Sequence, residues 1–246
     1  GFIPFITAGD PDLATTEELL LVLAQQGATL IELGVPFSDP MADGPVIQRA
    51  SERALKNKFG LQAILDVTSR VRKQIDTPII LFSYYNPLLQ FGLKRIAEAA
   101  KEAGLDGVLV TDLTPEESGE FETELRAQGL DMIFLVAPTS TDERLQLVAQ
   151  HASGFIYAVS RAGVTGARST ISAEAEKLVT RMRRFSELPI AVGFGISNAD
   201  QVKDVQRYAD AVVVGSAIVA EMERRLGAPD LAKEIGTFMT GLQDFS

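Results

Sequence analysis

Two carboxylates in the first fifth of the chain have the spacing of an acid/base pair. Glu32 belongs to a short apolar strand predicted over Leu30 to Leu33, and Asp43 follows eleven residues later. Three prolines stiffen the loop between and around them: Pro36, Pro40 and Pro45. Because side chains alternate along a strand, Glu32 shares one face with Leu30, away from the other apolar residues. One carboxylate at a strand end and one on a rigid loop could transfer protons.

Glycines follow the last two predicted strands, in the segments Gly193-Phe194-Gly195 and Gly215-Ser216, and each segment leads into a helix. Backbone N–H groups at a helix start can bind a phosphate without a basic side chain. The chain has 23 basic and 33 acidic residues and a net charge of −10, so an anionic substrate needs such a local device. A further segment, Ser160 to Gly166, combines glycines with polar donors and is long enough to close over a ligand.

Each candidate also has a purely structural interpretation. Glu32 could pair with a buried basic residue, although no other predicted strand supplies one to the interior. The segment Asp43-Gly44-Pro45 could simply begin a helix. Asp10 and Asp39 each precede a proline and are predicted to hold turns, and His151 is predicted to be a solvated helix cap. Four aromatic residues could be core or could form an apolar slot for a flat ring: Phe5, Phe82, Tyr84 and Phe194.

Short apolar runs alternate with longer amphipathic segments along the whole chain, which predicts repeated β/α units around a parallel sheet. The predicted strands are Phe2 to Thr7, Leu30 to Leu33, Ile79 to Ser83, Gly107 to Val110, Met132 to Val136, Phe155 to Ala158, Ile190 to Phe194 and Ala211 to Val214. The predicted helices are Leu13 to Gln26, Leu61 to Gln74, Leu93 to Ala103, Pro115 to Gln128, Asp142 to His151, Ala173 to Phe185, Asn198 to Arg207 and Asp230 to Leu242. Left-handed glycine caps are expected just past three helix ends, at Gly27, Gly104 and Gly129.

Eight such units in 246 residues predict a TIM (β/α)8 barrel rather than an open doubly wound sheet. No linker or low-complexity tract divides the chain, so we expect a single domain over residues 1–246. In such barrels function gathers at the C-terminal ends of the strands. The C-terminal ends of the strands form one rim of the barrel. We expect this rim to carry both carboxylates, the glycine segments and the aromatic residues.

Composition excludes several classes of protein. The chain has no cysteine and one histidine, so disulfides, iron–sulfur clusters and zinc sites built from thiolates or several histidines are ruled out. It lacks an apolar run of the roughly 20 residues that a membrane helix needs. Its excess of acidic over basic residues argues against a surface that binds nucleic acid. We therefore expect a cytoplasmic protein that binds neither nucleic acid nor membrane.

Five blocks of residues, in order, resemble the tryptophan synthase alpha subunit family. They are Pro4-Phe5 with Ala8-Gly9-Asp10-Pro11, Glu32 to Pro40 with Ala42 to Pro45, Ser160-Arg161 with Gly163 to Gly166, Gly193 to Ile196, and Gly215 to Val219. The resemblance extends from Phe2 to the last helix. It implies an eightfold barrel that cleaves indole-3-glycerol phosphate to indole and glyceraldehyde 3-phosphate, a retro-aldol reaction that uses neither a metal nor an organic cofactor.

The resemblance also implies roles for individual residues. Glu32 matches the catalytic glutamate that transfers protons, and Asp43 matches the catalytic aspartate that accepts the indole N–H. Positions around the indole and glycerol groups are matched by Phe5, Phe82, Tyr84, Asn86 and Tyr157, and Phe194, as a candidate for the aromatic slot, is expected to bind substrate beside them. The phosphate site is matched by Gly166, Gly195, Gly215 and Ser216, and Thr165 resembles the loop residue that contacts the catalytic aspartate on closure.

The family further implies a partner, a beta subunit carrying pyridoxal phosphate that receives indole within an α2β2 tetramer. The residues that resemble the docking face are Ser38, Asp39, Pro40 and Asp112. Two alternatives stay open: a stand-alone lyase that releases free indole, and a catalytically silent activator of a beta subunit. Family members normally begin with a helix under the barrel that has no counterpart before Phe2, so we expect a missing N-terminal element and reduced stability.

Overall fold

The computed structural model describes residues 1–159, 168–193 and 195–243, with the side chains of 168–172 left out. Within these residues, eight parallel strands close a barrel in chain order. The strands are β1 (Phe2–Thr7), β2 (Ile31–Gly34), β3 (Ile79–Ser83), β4 (Gly107–Val110), β5 (Asp131–Val136), β6 (Ile156–Val159), β7 (Ile190–Gly193) and β8 (Ala211–Val214). Each strand pairs with the next, and β1 pairs with β8. The predicted TIM-barrel fold is confirmed.

Eleven helices are formed by the described residues. They are α1 (Leu13–Gln25), α2 (Pro45–Leu55), α3 (Leu61–Arg72), α4 (Tyr85–Phe91), α5 (Leu93–Ala103), α6 (Gly119–Ala127), α7 (Asp142–His151), α8 (Arg168–Met182), α9 (Ala199–Val205), α10 (Ser216–Arg224) and α11 (Leu231–Gln243). The eight predicted ranges leave out α2, α4 and α10, which follow β2, β3 and β8, although a helix start was considered at Pro45 and expected after Gly215.

The barrel has two apolar layers. Side chains that alternate outward from the strands, such as Ile31 and Leu33, pack under the surrounding helices. Side chains that alternate inward fill the barrel interior, and Leu30 packs against this second cluster. Glu32 therefore points into the barrel, as the alternation of its strand predicts.

Charged residues at the N-terminal ends of the strands brace the lower rim of the barrel. Asp106, just before β4, accepts hydrogen bonds from the Ile79 N–H at 2.8 Å and from Arg72 at 2.6 Å. Asp210, just before β8, repeats this arrangement with the Ile190 N–H at 2.8 Å and Arg183 at 2.9 Å. These pairs lie at the opposite end of the barrel from the candidate catalytic residues, where residues serve stability.

The glycine caps are confirmed, since Gly27, Gly104 and Gly129 all have φ between 66° and 83°. His151 ends α7, as predicted, but it is not a solvated cap. Its Nδ1 lies 2.7 Å from Glu122 Oε2, and its side chain is only partly exposed. The histidine therefore pairs with a carboxylate on α6 instead of standing as a solvated cap, a contact between helices that the local sequence does not reveal.

Candidate active site

A cavity of about 530 Å³ opens at the C-terminal ends of the strands. Its wall combines strand ends from both sides of the barrel with the first turn of α2 and the start of α10. The lining residues are Phe5, Glu32, Met41, Ala42, Asp43, Gly44, Ile47, Phe82, Tyr157, Gly195, Val213, Gly215 and Ser216. The cavity therefore brings together the two acids and the glycines that the sequence placed at one rim.

Glu32 lies in the wall of this cavity with 1 % of its surface exposed. Neighbouring strands place Phe5 and Ile80 beside it, at Cα-paired positions on β1 and β3. Burial raises the pKa of Glu32 from 4.5 to about 8. Among the described residues its Oε1 has no hydrogen-bond partner and no cation contributes to the pKa shift, which argues against the interpretation as a structural ion pair. A carboxyl that is protonated at neutral pH can donate a proton to a substrate.

Asp43 has a different environment at the mouth of the cavity. Its Oδ2 accepts a hydrogen bond from the Tyr84 hydroxyl at 3.1 Å. Burial raises the pKa of Asp43 from 3.8 to about 6, and the Tyr84 hydrogen bond opposes that rise. Although α2 does start at Pro45, Asp43 does not cap it, because Gly44 is the N-cap residue and offers no side chain. Two acids with separated pKa values can take separate roles near pH 7.

Aromatic side chains form the apolar part of the cavity. Phe5 and Phe82 meet edge to face with ring centroids 5.3 Å apart. Glycines leave room for the aromatic residues: a Cβ at Gly34 would lie 2.5 Å from the Phe5 ring, and one at Gly193 would lie 2.1 Å from the Tyr157 hydroxyl oxygen. Burial and the nearby Glu32 carboxylate both raise the pKa of Tyr157, which keeps the phenol protonated. The resulting slot suits a flat ring.

The opposite side of the cavity is lined by backbone from the ends of β7 and β8. Gly215 is the N-cap residue of α10, and Ser216 is its first residue. Gly195 has φ of +80°, a left-handed conformation that glycine adopts without strain. A helix start with free N–H groups and a positive dipole end favours an anion. This arrangement can bind a phosphate through backbone N–H groups, as an acidic chain with an anionic substrate requires.

Some predicted site residues lie elsewhere. Tyr84 lies outside the cavity lining and reaches the site through Asp43. Asn86 is exposed on the first turn of α4, where its side chain accepts a hydrogen bond from Gln90 at 3.4 Å. Thr165, Gly166 and Phe194, with the rest of the 160–166 segment, lie outside the described residues. Sequence reasoning missed Met41, Ala42, Gly44, Ile47 and Val213 as cavity residues; the apolar period of α2 is the only signal that could have indicated Ile47.

Asp10 lies in the turn after β1, as predicted, and its N–H donates to the Thr7 carbonyl at 3.3 Å, but its side chain has a further role that the sequence does not indicate. Its side chain is completely buried, and both of its carboxylate oxygens accept hydrogen bonds from Arg53 of α2 at 2.8 Å. Its partner lies 43 residues away, so no local pattern reveals the pair. Asp39 is exposed and accepts a hydrogen bond from the Ser38 hydroxyl at 2.5 Å, as a turn residue would.

Comparison with known proteins decides the family. The family model "Tryptophan synthase alpha chain" matches residues 1–241. The chain belongs to the tryptophan synthase alpha chain family. The alpha chain of Geobacter sulfurreducens is 52% identical over 242 residues, which cover 98% of this chain and 91% of that protein. The predicted family is thus confirmed, and with it the prediction that the chain is a lyase.

Solved structures agree with this assignment. The alpha subunit from Legionella pneumophila is 37% identical with a TM-score of 0.90, and the match covers 98% of this chain and 90% of that one. A second solved structure concerns mutual activation of the tryptophan synthase α2β2 complex from Pyrococcus furiosus. Its matching chain is 40% identical with a TM-score of 0.90, and the match covers 98% of this chain and 96% of that one. The fold of this chain is therefore the fold of its family.

Two further observations concern the described part of the chain. None of its helices combines the length and the apolar character that crossing a membrane requires. Nor do three or more potential metal-ligating acids or histidines come together anywhere in it.

Proposed function

We propose that this chain cleaves indole-3-glycerol phosphate to indole and glyceraldehyde 3-phosphate. The observation that carries the proposal is the pair of acids in one cavity, of which Glu32 is buried with a pKa of about 8 and Asp43 has a pKa of about 6. At neutral pH the first is protonated and the second ionised. This is the pairing that the retro-aldol reaction requires, because indole leaves as a neutral ring only after a proton has reached its C3.

The reaction proceeds from these two protonation states. The Glu32 carboxyl gives its proton to C3 of the indole ring, which leaves a positive charge delocalised onto the ring nitrogen. Asp43 accepts a hydrogen bond from the indole N–H and stabilises that charge. The Glu32 carboxylate then takes the proton of the glycerol hydroxyl next to the scissile bond. The carbon–carbon bond breaks, its electrons return to the ring, and the hydroxyl carbon becomes the aldehyde.

Substrate binding follows from the two ends of the cavity. The indole ring occupies the slot beside Phe5 and Phe82, and the phosphate binds at Gly195, Gly215 and Ser216. Tyr157 lines the wall near Glu32, and Thr165, Gly166 and Phe194 complete the site on the strength of the family resemblance. Asn86 retains a role only at the outer edge, since it faces Gln90 on α4.

The test is indole release from indole-3-glycerol phosphate by the wild type, Glu32→Gln and Asp43→Asn. Both substitutions preserve shape and remove the ionisable group. We expect each to lower kcat by at least about a hundredfold, in the range that general acid–base and charge stabilisation provide. Wild-type turnover by the Glu32→Gln variant would refute the mechanism.

A beta subunit is the proposed partner, because the similar Pyrococcus furiosus chain belongs to an α2β2 complex. The proposed docking residues lie on the cavity side of the barrel: Ser38 and Asp39 are exposed, Pro40 is partly buried, and Asp112 accepts a hydrogen bond from the Tyr85 N–H at 2.7 Å. Met41, which follows them, is 92 % exposed. An apolar side chain so exposed at a cavity mouth suits a protein interface.

Turnover measured alone and with a cognate beta subunit separates the remaining alternatives. Strong activation by the partner supports the α2β2 assignment, whereas high unaided turnover supports a stand-alone lyase. A silent activator would leave indole-3-glycerol phosphate uncleaved in both assays. The absence of cysteine fits a reducing compartment, and we propose the cytoplasm.

A further inference from the structure

Four charged side chains form a connected network behind the cavity. Arg53 of α2 donates through Nε and Nη2 to the two oxygens of Asp10, both at 2.8 Å. Its Nη1 donates to Glu223 of α10 at 2.6 Å. Arg49, one turn earlier on α2, binds the same Glu223 at 2.8 and 2.7 Å. The network balances two positive charges against two negative ones and centres on Arg53.

The network is most buried where it meets Asp10. The Asp10 side chain has no exposed surface, and that of Arg53 is 18 % exposed. A buried carboxylate is tolerated only when it is paired and hydrogen-bonded. A bidentate guanidinium–carboxylate contact also fixes orientation, because both N–H donors must align with both oxygens. Arg53 thus holds α2 at a defined angle to the loop after β1.

The elements that Arg53 joins are the same ones that build the cavity. The helix α2 begins two residues after Asp43, and its Ile47 lines the cavity. The helix α10 begins at Ser216, at the proposed phosphate site. The two helices pack against each other, and their inner residues Ala50 and Val219 are both fully buried in the interior cluster. Since helices are stiff over two turns, a tie at Arg53 fixes the start of α2 relative to that of α10.

We propose that Arg53 is a positioning residue for the retro-aldol reaction, which holds α2 against α10 and the β1 loop so that Asp43 and the phosphate-binding helix start keep their separation across the cavity. This inference rests on the proposed function. Arg53 does not line the cavity itself, so its effect on catalysis passes through the position of α2.

The experiment compares Arg53→Met and Arg53→Lys with Arg72→Met. The last serves as a control, since the Arg72 side chain is about as buried as that of Arg53 and also pairs with an aspartate, the more exposed Asp106, but at the lower rim. For each variant, kcat and KM for indole release and the pH profile of kcat/KM are measured under conditions where circular dichroism shows a folded protein, and urea unfolding gives its stability.

We expect Arg53→Met to lower kcat/KM at least tenfold and to move the acid limb of the profile to lower pH, because the Asp43 loop becomes more open to water. Arg53→Lys keeps the charge without the bidentate contact and should recover part of the loss. Arg72→Met should lower the urea midpoint and keep kcat/KM within twofold with an unmoved profile.

Folded Arg53→Met with wild-type kcat, KM and pH profile overturns the inference, as does an equal loss of kcat/KM in Arg72→Met. If Arg53→Met does not fold, the Glu223→Gln variant is measured instead, because it weakens the contact of Arg53 with α10 and leaves the Asp10–Arg53 pair intact. A several-fold loss of kcat/KM in Glu223→Gln supports the inference, and wild-type values refute it. Failure of the wild type to release indole would instead remove the proposed function, and this inference with it.

Discussion

The Tyr84 hydroxyl, at the end of β3, donates a hydrogen bond to Asp43 Oδ2 at 3.1 Å and accepts one from the Ala42 N–H at 2.9 Å. Burial and the neighbouring Asp43 carboxylate raise the pKa of Tyr84 far above its usual value, so the phenol remains a donor throughout the working pH range. The Tyr84 hydroxyl thus holds the loop after β2 at two points, the Ala42 N–H and the Asp43 carboxylate. It also favours the ionised form of Asp43.

Replacing Tyr84 by Phe should raise the pKa of Asp43 further, because the carboxylate loses a donor while it stays partly buried. Hydrogen bonds to charged groups contribute roughly 1.5–3 kcal/mol, so the acid limb of kcat/KM should move up by about one to two pH units. The measurement is the pH profile of indole release. Tyr85→Phe, on α4, serves as the control and should leave the limb in place; an equal movement in both variants would contradict the assignment.

The wild-type profile itself should be bell-shaped. Activity requires Asp43 ionised and Glu32 protonated, so kcat/KM should rise through a pKa of about 6 and fall through a pKa of about 8. In Asp43→Asn the residual activity should lose the acid limb and keep the alkaline one. An alkaline limb that survives in Glu32→Gln would assign that pKa to another group.

Stability should depend on pH through the same glutamate. The folded-state pKa of Glu32 is raised from 4.5 to about 8, so the folded state keeps a proton that the unfolded state has released between those values. Its contribution to stability is complete below pH 4.5 and is lost as the pH rises to 8, by about 1.4 kcal/mol per pH unit.

Glu32→Gln removes this dependence, because glutamine never ionises. Relative to the wild type, the variant should gain stability from pH 5 to pH 8, to a total of several kcal/mol, and gain little more above pH 8. Urea unfolding at pH 5, 6.5 and 8 measures the difference. A constant difference between the two proteins over this range would mean that Glu32 is ionised in the folded state.

The sequence was most informative where structure is local or periodic. Alternation within β2 was enough to point Glu32 inward, and the position of Gly215 directly after β8 was enough to place it at a helix start. Contacts between distant segments gave no such signal. Tyr84 meets Asp43 across 41 residues, and Arg53 meets Asp10 across 43. The neighbouring residues Asp10-Pro11 predict a turn, but they carry no information about the Arg53 guanidinium, which reaches Asp10 only in the folded chain.

The phosphate site permits a test in which stability and binding move in opposite directions. Ser216 is the first residue of α10, whose first turn holds no acidic side chain. Ser216→Asp should stabilise the helix by about 0.3–1 kcal/mol through its dipole, yet repel a phosphate bound to the same N–H groups. We expect KM for indole-3-glycerol phosphate to rise at least tenfold and the melting temperature to stay equal or increase. Ser216→Asn, which is similar in size and uncharged, should change KM far less. A comparable rise in KM for the asparagine variant would show that the serine hydroxyl or the local space matters, and that the added charge does not.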